Sequence, residues 1–269
     1  MIDLDAYFRR TGFAGDRAPT LENLHALCAA HVTSIPFENL DVLLGRRIDL
    51  DPAAVDQKLI HDRRGGYCFE QNTLFLRVLE ALGYHARPLS ARVRAGRPRD
   101  YTPARTHVFC RVELDGESWL ADVGVGAMSM ACAIRFFHDG LQPTPHEPRR
   151  IVFEDGRYFH QARLGDVWDD VCEFTLEEMP PIDREVGNWY TSAHPQSHFK
   201  SRLIVTRARP GGERVTILNK ELKRRDRDGV AHTTPIASPD ELLVLLAEHF
   251  GMRFPDGTRF QCPALDWDA

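Results

Sequence analysis

The middle third of the chain contains two Asp-Gly dipeptides, each lying between short runs rich in β-branched and aromatic residues. Asp115-Gly116 separates the runs 107–114 and 119–123, and Asp155-Gly156 lies in a similar context. Both residues of such a dipeptide tolerate a positive φ, which a two-residue hairpin turn requires. This many short strands favour a small barrel or a sandwich. Strands are predicted at 84–93, 107–114, 119–123, 150–154, 158–163 and 171–176.

The first third of the sequence is predicted to be helical. Thr20 is placed to cap a helix that ends before Pro36, and Pro52 lies in the first turn of a second, short helix. A third helix follows Cys68 and ends at Gly83. Its apolar residues recur with helical spacing at Leu74, Phe75, Val78, Leu79 and Leu82.

The last third mixes both element types. Strands are predicted at 201–207 and 213–218, and Ser238 begins a helix that ends at Gly251. The 269 residues are enough for two modest domains, or for one domain with a lid. The chain is therefore expected to have an α+β fold.

Composition excludes several classes of function. With a net charge of -5 and a pI near 6.2, the chain lacks the electrostatic character of a nucleic-acid-binding protein. Its densest basic run, 220–227, includes Glu221 and Asp226 and is interpreted as a solvated turn between strands. No stretch approaches the roughly 18 apolar residues of a membrane helix, and residues 1–5 do not resemble an export signal. A cytoplasmic protein without a membrane partner is expected.

The six cysteines are scattered, which predicts free thiols, and their spacing does not indicate a zinc site. Cys68 differs from the other five because Gly65-Gly66 precedes it and an amphipathic helix follows it. A thiolate is favoured at a helix start by unpaired N–H groups and by the helix dipole. A lone cysteine is more often a small packed apolar residue, so this position alone does not establish a nucleophile.

A nucleophilic cysteine needs a base, and the base needs a group that orients it. If Asp115-Gly116 forms a two-residue turn, Asp122 lies opposite Phe109, and His107 is its diagonal neighbour on the same face of the sheet. Such a diagonal spans about 7–8 Å, which allows a His–Asp hydrogen bond. Cys68, His107 and Asp122 are therefore the candidate catalytic residues. Taken singly, His107 could be a surface histidine and Asp122 a turn residue.

These elements resemble the arylamine N-acetyltransferase family, and the resemblance runs nearly end to end. The most specific part is the run Arg-Gly-Gly-x-Cys-x-Glu with Thr-His and Asp-x-Gly downstream. The motifs that carry it are Tyr7-Phe8-x-Arg10-x-Gly12, the runs 35–40, 64–72, 105–107, 119–126 and 197–199, and the closing helix 241–251.

The resemblance implies a three-part fold: a helical domain at 1–83, a β-barrel domain at 84–190 and an α/β lid at 191–269. It implies a triad of Cys68, His107 and Asp122 arranged as in cysteine proteases. The implied chemistry is ping-pong, with acetyl-CoA as co-substrate, an acetyl-cysteine intermediate, and an arylamine or hydrazine as acceptor. No metal ion is expected. The oligomeric state stays open, with a homo-oligomer as one alternative.

The resemblance also places residues around the acceptor. Where the family often has an aromatic residue, this chain has Val125, and so the expected pocket is either wider or less able to stack on an aryl ring. Arg10, Glu38 and Arg64 match a structural charge cluster of the family. Arginines near the barrel turns are candidates for contacts with the CoA phosphates, namely Arg97, Arg99 and Arg105. The expected pocket residues are Phe37, Val125, Gly126, Ala127, Ser129 and Phe199.

Other functions remain compatible with the same residues. A cysteine hydrolase or a transglutaminase-like enzyme uses an equivalent triad. Some members of the resembling family close amide bonds without acetyl-CoA, and so an amide synthase is a further alternative. A binding module that retains the fold is the non-catalytic alternative, and the intact triad argues against it.

Overall fold

The computed structural model describes residues 2–94 and 96–267. Its α-helices are α1 (Leu4–Thr11), α2 (Leu21–Ser34), α3 (Leu40–Leu43), α4 (Pro52–Asp56), α5 (Cys68–Ala81), α6 (Pro181–Ala193), α7 (His198–Ser201) and α8 (Pro239–Phe250). Its strands are β1 (Phe37–Glu38), β2 (His85–Val93), β3 (His107–Leu114), β4 (Glu117–Ala121), β5 (Ile134–Arg135), β6 (Arg149–Glu154), β7 (Arg157–Leu164), β8 (Val167–Glu178), β9 (Ile204–Ala208), β10 (Arg214–Leu218), β11 (Glu221–Arg225) and β12 (Ala231–Pro235).

Seven strands form one antiparallel sheet in the order β5-β4-β3-β2-β8-β7-β6. The two edges of this sheet approach each other. Beyond β5, Gln142 and Arg149 exchange backbone hydrogen bonds of 2.8 and 2.9 Å, and Ile151 N donates to the His138 carbonyl at 3.3 Å. The sheet is therefore a nearly closed barrel. Its interior is filled by Leu89, Phe109, Leu120, Phe136, Ile151 and Phe174.

The predicted hairpin register is confirmed. Asp115 and Gly116 have φ values of 51° and 77°, as expected for a tight two-residue turn. The strands on either side pair Leu114 with Glu117 and Cys110 with Ala121. This register brings the start of β3 beside the residue that follows β4.

The helical first third packs against the outer face of the barrel. Side chains of α1, α2 and α5 form one core with Cys110, Val112 and Ala121 of β3 and β4. The predicted caps are present, since Thr20 accepts from Asn23 N and Ser238 accepts from Glu241 N. None of the helices within residues 2–94 and 96–267 is long and apolar enough to cross a bilayer.

A second antiparallel sheet, in the order β1-β9-β10-β11-β12, takes four of its strands from the last third of the chain and packs against α8. Two predictions need correction here. The basic run that was interpreted as a turn is mainly the strand β11, because Asn219 (φ 55°) makes a tighter turn just before it. Ser201 ends the short helix α7, and so β9 begins later than predicted.

Helix α6 was not predicted from the sequence. Its large apolar residues are exposed, with Ile182, Val186 and Trp189 each about 60% accessible. They therefore do not form the buried stripe by which an amphipathic helix is recognised. The expected boundary between residues 190 and 191 lies inside this helix.

Candidate active site

Cys68 is the first residue of α5, and only 5% of it is exposed. The helix start is fixed because the Glu70 carboxylate accepts a 3.0 Å hydrogen bond from Tyr67 N. The thiol of Cys68 donates to the carbonyl of Thr106 at 3.4 Å. Thr106 immediately precedes β3, and so this contact places the sulfur beside His107.

The two glycines before Cys68 allow a close backbone approach. A Cβ on Gly65 would lie 2.2 Å from the Pro36 carbonyl oxygen. The backbone of Gly66 instead pairs with β1, accepting from Glu38 N at 3.0 Å and donating to the Pro36 carbonyl at 3.3 Å. The backbone that comes close to these glycines is therefore the strand that carries Phe37.

His107 and Asp122 are both 1% exposed, and His107 Nε2 lies 2.7 Å from Asp122 Oδ2. Burial alone would lower the pKa of His107. The charge of Asp122, its hydrogen bond and the contact with Cys68 outweigh burial and raise that pKa to about 10. Burial likewise opposes ionisation of Asp122, yet His107 and two further hydrogen bonds keep its pKa below the ordinary value. An imidazolium paired with a carboxylate therefore lies beside the sulfur.

Asn72 holds this pair in place, although the sequence pattern predicted no role for it. Its Nδ2 donates to Asp122 Oδ1 at 2.9 Å and to the Val108 carbonyl at 2.7 Å. Its Oδ1 accepts from Val123 N at 3.1 Å. The spacing of Cys68 and Asn72 could have indicated this role. Residues four apart in a helix share a face, and so Asn72 lies on the same side of α5 as Cys68.

Cys172 is a second buried thiol near the pair. One ligand atom from each of His107, Asp122 and Cys172 lies within 4.8 Å of the others. Thiol, imidazole and carboxylate are ligands that Zn²⁺ accepts, and so these three residues could hold a metal ion. Burial raises the pKa of Cys172 well above its usual value, which leaves the thiol protonated. The sequence prediction of no metal stays a prediction.

Three of the predicted pocket residues lie together near Cys68. The rings of Phe37 and Phe199 are 6.1 Å apart, and both belong to the apolar cluster that contains Cys68. Gly126 has φ 72°, and a Cβ there would lie 3.6 Å from the Phe37 ring. Phe37 and Phe199 therefore share an apolar cluster with Cys68, and Gly126 lies against Phe37.

The other three predicted pocket residues are placed differently. Val125 packs against the apolar core inside the barrel. Ala127 is half-buried in the 3₁₀ turn Gly126–Met128. Ser129 is buried, its hydroxyl has no hydrogen-bond partner among the described residues, and its carbonyl accepts from Arg214 at 2.9 Å. Their part in the acceptor pocket stays a prediction.

A buried charge cluster contacts the 3₁₀ turn Gly126–Met128 and the residue after it. Glu147 accepts from Arg149 at 3.0 Å and from Arg214 at 2.8 Å, and it also contacts Arg225. Arg149 donates to the Met128 carbonyl at 2.9 Å. Burial opposes ionisation of Glu147, but the arginines hold its pKa well below the ordinary value. Arg214 belongs to β10, and so the cluster joins the second sheet to the turn beside Phe37.

Replacing Glu147 by glutamine is expected to lower the free energy of unfolding by about 3–5 kcal/mol, because Arg149 and Arg214 would lose the carboxylate that they share. Urea denaturation of the parent and the variant would measure the loss. Glu154→Gln is the matched control. Glu154 is about half exposed and pairs with Arg99, and so its loss should cost at most about 1 kcal/mol. Equal losses in both variants would contradict the bracing role.

The cluster predicted from Arg10, Glu38 and Arg64 is wrong in one member. Glu38 pairs with Arg64 at 2.6 Å, and Arg64 also reaches Asp41 at 3.2 Å. The second cation of the observed cluster is Lys58, whose Nζ lies 2.8 Å from Asp41. Arg10 instead meets backbone carbonyls, two of which lie in the last turns of helical segments and carry partial negative charge. It donates to the carbonyls of Leu59, Ser34, Arg63 and Arg64.

Helix α6 is anchored beside the nucleophile. The Tyr67 hydroxyl donates to Asn188, whose Nδ2 donates to the Ile48 carbonyl at 3.0 Å. A Cβ on Gly187 would lie 2.5 Å from the Phe69 ring. The residues on both sides of Cys68 thus contact α6, although the sequence pattern did not reveal this helix.

Two of the three arginines expected near the CoA phosphates have acidic partners. Arg99 lies 2.7 Å from Asp170, and Arg105 pairs with Glu177. Of the three, Arg97 alone has no acidic partner within the described part of the chain, and its guanidinium lies 5.2 Å from the centre of the Tyr101 ring.

Comparison with known proteins places this geometry in a family. A family model described as N-acetyltransferase matches residues 20–258. The arylamine N-acetyltransferase of Escherichia coli (strain K12) is 37% identical over 253 residues, which cover 94% of this chain and 90% of the relative.

Solved structures agree with that match. The M. smegmatis arylamine N-acetyltransferase superposes with a TM-score of 0.91 at 37% identity, covering 99% of this chain and 100% of the other. The Mycobacterium marinum arylamine N-acetyltransferase in complex with CoA superposes with a TM-score of 0.89 at 35% identity, covering 93% of both chains. The sequence match and the shared fold lead to one conclusion. The chain belongs to the arylamine N-acetyltransferase family.

Proposed function

We propose that this enzyme transfers an acetyl group from acetyl-CoA to an arylamine or hydrazine by a ping-pong mechanism, with the acetyl group carried on Cys68. The observation that supports this most is the unbroken series of contacts from sulfur through imidazole to carboxylate. Cys68 adjoins His107, and His107 is bonded to Asp122 at 2.7 Å. Family membership and the relative whose structure is in complex with CoA support acetyl-CoA as the donor.

The first half-reaction acetylates the enzyme. The thiolate of Cys68 attacks the thioester carbonyl carbon, and the C–S bond to CoA then breaks. The departing CoA sulfur takes the proton of the His107 imidazolium. Asp122 holds the imidazole in one tautomer and stabilises its cation. The developing oxyanion needs N–H donors, and the backbone N–H of Cys68 at the helix start is the proposed first donor.

The second half-reaction reverses these roles. The amine nitrogen attacks the acetyl carbon on Cys68, and His107 accepts the proton that the nitrogen loses. The Cys68 thiolate leaves, and the imidazolium–thiolate pair is restored. The proton that His107 gives to CoA in the first half-reaction is replaced by the proton that the amine loses in the second.

The triad arrangement proposed here is that of a cysteine protease, with the nucleophile at a helix start and the base on a strand. We also propose the three-part organisation expected from the sequence, with the second boundary moved beyond Ala193, the last residue of α6. The helical part then supplies Cys68, and the barrel supplies His107 and Asp122.

Phe37, Phe199 and Gly126 are proposed to bind the acceptor, because the two rings share an apolar cluster with Cys68 and Gly126 lies against Phe37. Rings of this kind favour contact with a flat aromatic amine. Val125 offers no ring for stacking, and so the pocket should tolerate substituted aryl groups and hydrazides.

Two measurements test the mechanism. Initial rates with acetyl-CoA and an aromatic hydrazide should give parallel double-reciprocal lines. Enzyme mixed with acetyl-CoA in the absence of acceptor should release one equivalent of CoA. Intersecting lines, with no CoA released before acceptor is added, would rule out the acetyl-enzyme. Rapid, continuing loss of acetyl-CoA without any amine would instead favour the hydrolase alternative.

A further inference from the structure

Tyr7, His31 and Gln71 form a buried polar series that the catalytic steps do not use, and it is called the His31 series below. All three side chains are fully buried. The Tyr7 hydroxyl lies 2.9 Å from His31 Nδ1, and His31 Nε2 lies 2.6 Å from Gln71 Oε1. The residues belong to α1, α2 and α5, and so the series crosses the helical part of the molecule. A fully hydrogen-bonded buried network holds a single arrangement.

The Gln71 end of the series determines the direction of each hydrogen bond in it. Gln71 Nε2 lies 2.7 Å from the Pro36 carbonyl and 3.2 Å from the Gly66 carbonyl. A carbonyl oxygen only accepts, and so this end of the Gln71 amide is its NH₂ group. Gln71 Oε1 therefore accepts from His31 Nε2–H. His31 Nδ1 is then the acceptor for the Tyr7 hydroxyl.

The charge state of the His31 series agrees with these directions. Burial lowers the pKa of His31 to about 4, although the hydrogen bond to Gln71 acts in the opposite sense. Burial also raises the pKa of Tyr7 well above its usual value. At neutral pH, His31 is therefore an uncharged imidazole and Tyr7 keeps its hydroxyl proton. The edge contact of the imidazole with Phe75, at 5.4 Å between ring centres, further restricts its orientation.

The Gln71 amide joins the glycine segment before the nucleophile to strand β1. The Pro36 carbonyl that it binds also accepts from Gly66 N at 3.3 Å, and the Gly66 carbonyl accepts from Glu38 N at 3.0 Å. Gln71 thus spans the β-bridge between Phe37 and Gly66. Because β1 has only two residues and few ladder bonds of its own, this amide contributes substantially to the position of Phe37.

The contacts among the catalytic groups are made through other residues. The Cys68 sulfur contacts the Thr106 carbonyl. The hairpin of β3 and β4 makes His107 and Asp122 neighbours. A change in the His31 series should therefore displace β1 while the catalytic triad keeps its geometry.

We propose that His31 is a positioning residue, which acts through Gln71 to hold Phe37 in place for the acceptor half-reaction. The inference rests on the proposed function, because that function assigns Phe37 to acceptor binding. In a ping-pong mechanism, kcat/KM for each substrate reports only the half-reaction of that substrate. Loss of a hydrogen bond in the His31 series should lower kcat/KM for the acceptor and leave kcat/KM for acetyl-CoA unchanged.

Two variants and one control test this with benzhydrazide as the acceptor. Tyr7→Phe removes the hydroxyl, and Gln71→Met removes both amide donors at similar size. We expect kcat/KM for benzhydrazide to fall roughly threefold in Tyr7→Phe and roughly tenfold in Gln71→Met. The value for acetyl-CoA should stay within about twofold of the parent. Tyr84→Phe should change neither value, because it removes a 2.8 Å hydrogen bond to Thr20 in the same apolar core as Tyr7.

An equal fall in both kcat/KM values would indicate a general loss of structure and would overturn the proposal. So would unchanged benzhydrazide kinetics in every variant that folds. Tyr7→Phe removes a single oxygen atom, and so it keeps the test valid if Gln71→Met folds poorly. A kinetic effect of the same size in Tyr84→Phe would also contradict a role specific to the His31 series.

Two further measurements separate this inference from the proposed function. Nitrogen-15 NMR of the parent at neutral pH should find the His31 proton on Nε2, and a proton on Nδ1 would overturn the arrangement. If the parent transferred no acetyl group, the proposed function would fail, but calorimetric titration with benzhydrazide would still test the position of Phe37. Affinity should weaken roughly tenfold in Gln71→Met, and an unchanged affinity would overturn the inference.

Discussion

Replacing Cys68 by alanine is expected to reduce acetyl transfer from acetyl-CoA by roughly 10³–10⁶-fold, because the group that carries the acetyl is lost. Alanine fits the space of a buried cysteine whose side-chain contacts are with Thr106 and His107, and so the fold should persist. Initial rates with an aromatic hydrazide would measure the effect, and circular dichroism would establish folding.

Cys132→Ala provides the matched control. Cys132 is partly exposed, and burial raises the pKa of its thiol to about 11, which makes it a poor nucleophile. Its removal should leave the rate within about twofold of the parent. Mass spectrometry after incubation with acetyl-CoA should find one acetyl group on the parent and on Cys132→Ala, and none on Cys68→Ala. Full transfer by the Cys68 variant would refute the acetyl-enzyme mechanism.

The helix caps and the hairpin turn were predicted from the sequence because each depends on residues adjacent to it in the chain. Thr20, Ser238 and Asp115-Gly116 each act through their own backbone, and the structure contains the caps and the turn that they predict. Helix α6 could not be predicted in this way. Its apolar side chains face outwards, and it is held by contacts between Asn188 and residues more than a hundred positions away.

The His107–Asp122 pair of the site could be predicted because the hairpin of β3 and β4 determines it. Register along β3 and β4 follows from the turn, and register alone makes His107 and Asp122 neighbours. The approach of Cys68 depends on a tertiary contact with Thr106, which no local pattern encodes. The partners of Arg10 were mispredicted for the same reason, since helix-end carbonyls distant in sequence replaced the expected carboxylate.

Replacing Asp122 by asparagine is expected to lower acylation by acetyl-CoA roughly 10²–10⁴-fold at neutral pH. Burial by itself lowers the pKa of His107, and Asp122 supplies the largest opposing effect. Without that carboxylate the imidazole should be neutral at pH 7, and the proton for the departing CoA sulfur is lost. The basic limb of kcat/KM against pH should therefore move from near pH 10 in the parent to below neutral pH.

The free energy of unfolding of the parent should also depend on pH through the protonation of His107. The pKa of His107 is raised in the folded state above its ordinary value of 6.5. Its protonation therefore stabilises the fold fully below that value, and the stabilisation disappears as the pH rises through about 10. Urea denaturation between these limits should show this loss in the parent and not in Asp122→Asn. Asp115→Asn, which suits the hairpin turn, should retain both pH profiles. If Asp122→Asn keeps the parent's basic limb, the carboxylate does not hold the imidazolium, and another group must protonate the departing sulfur.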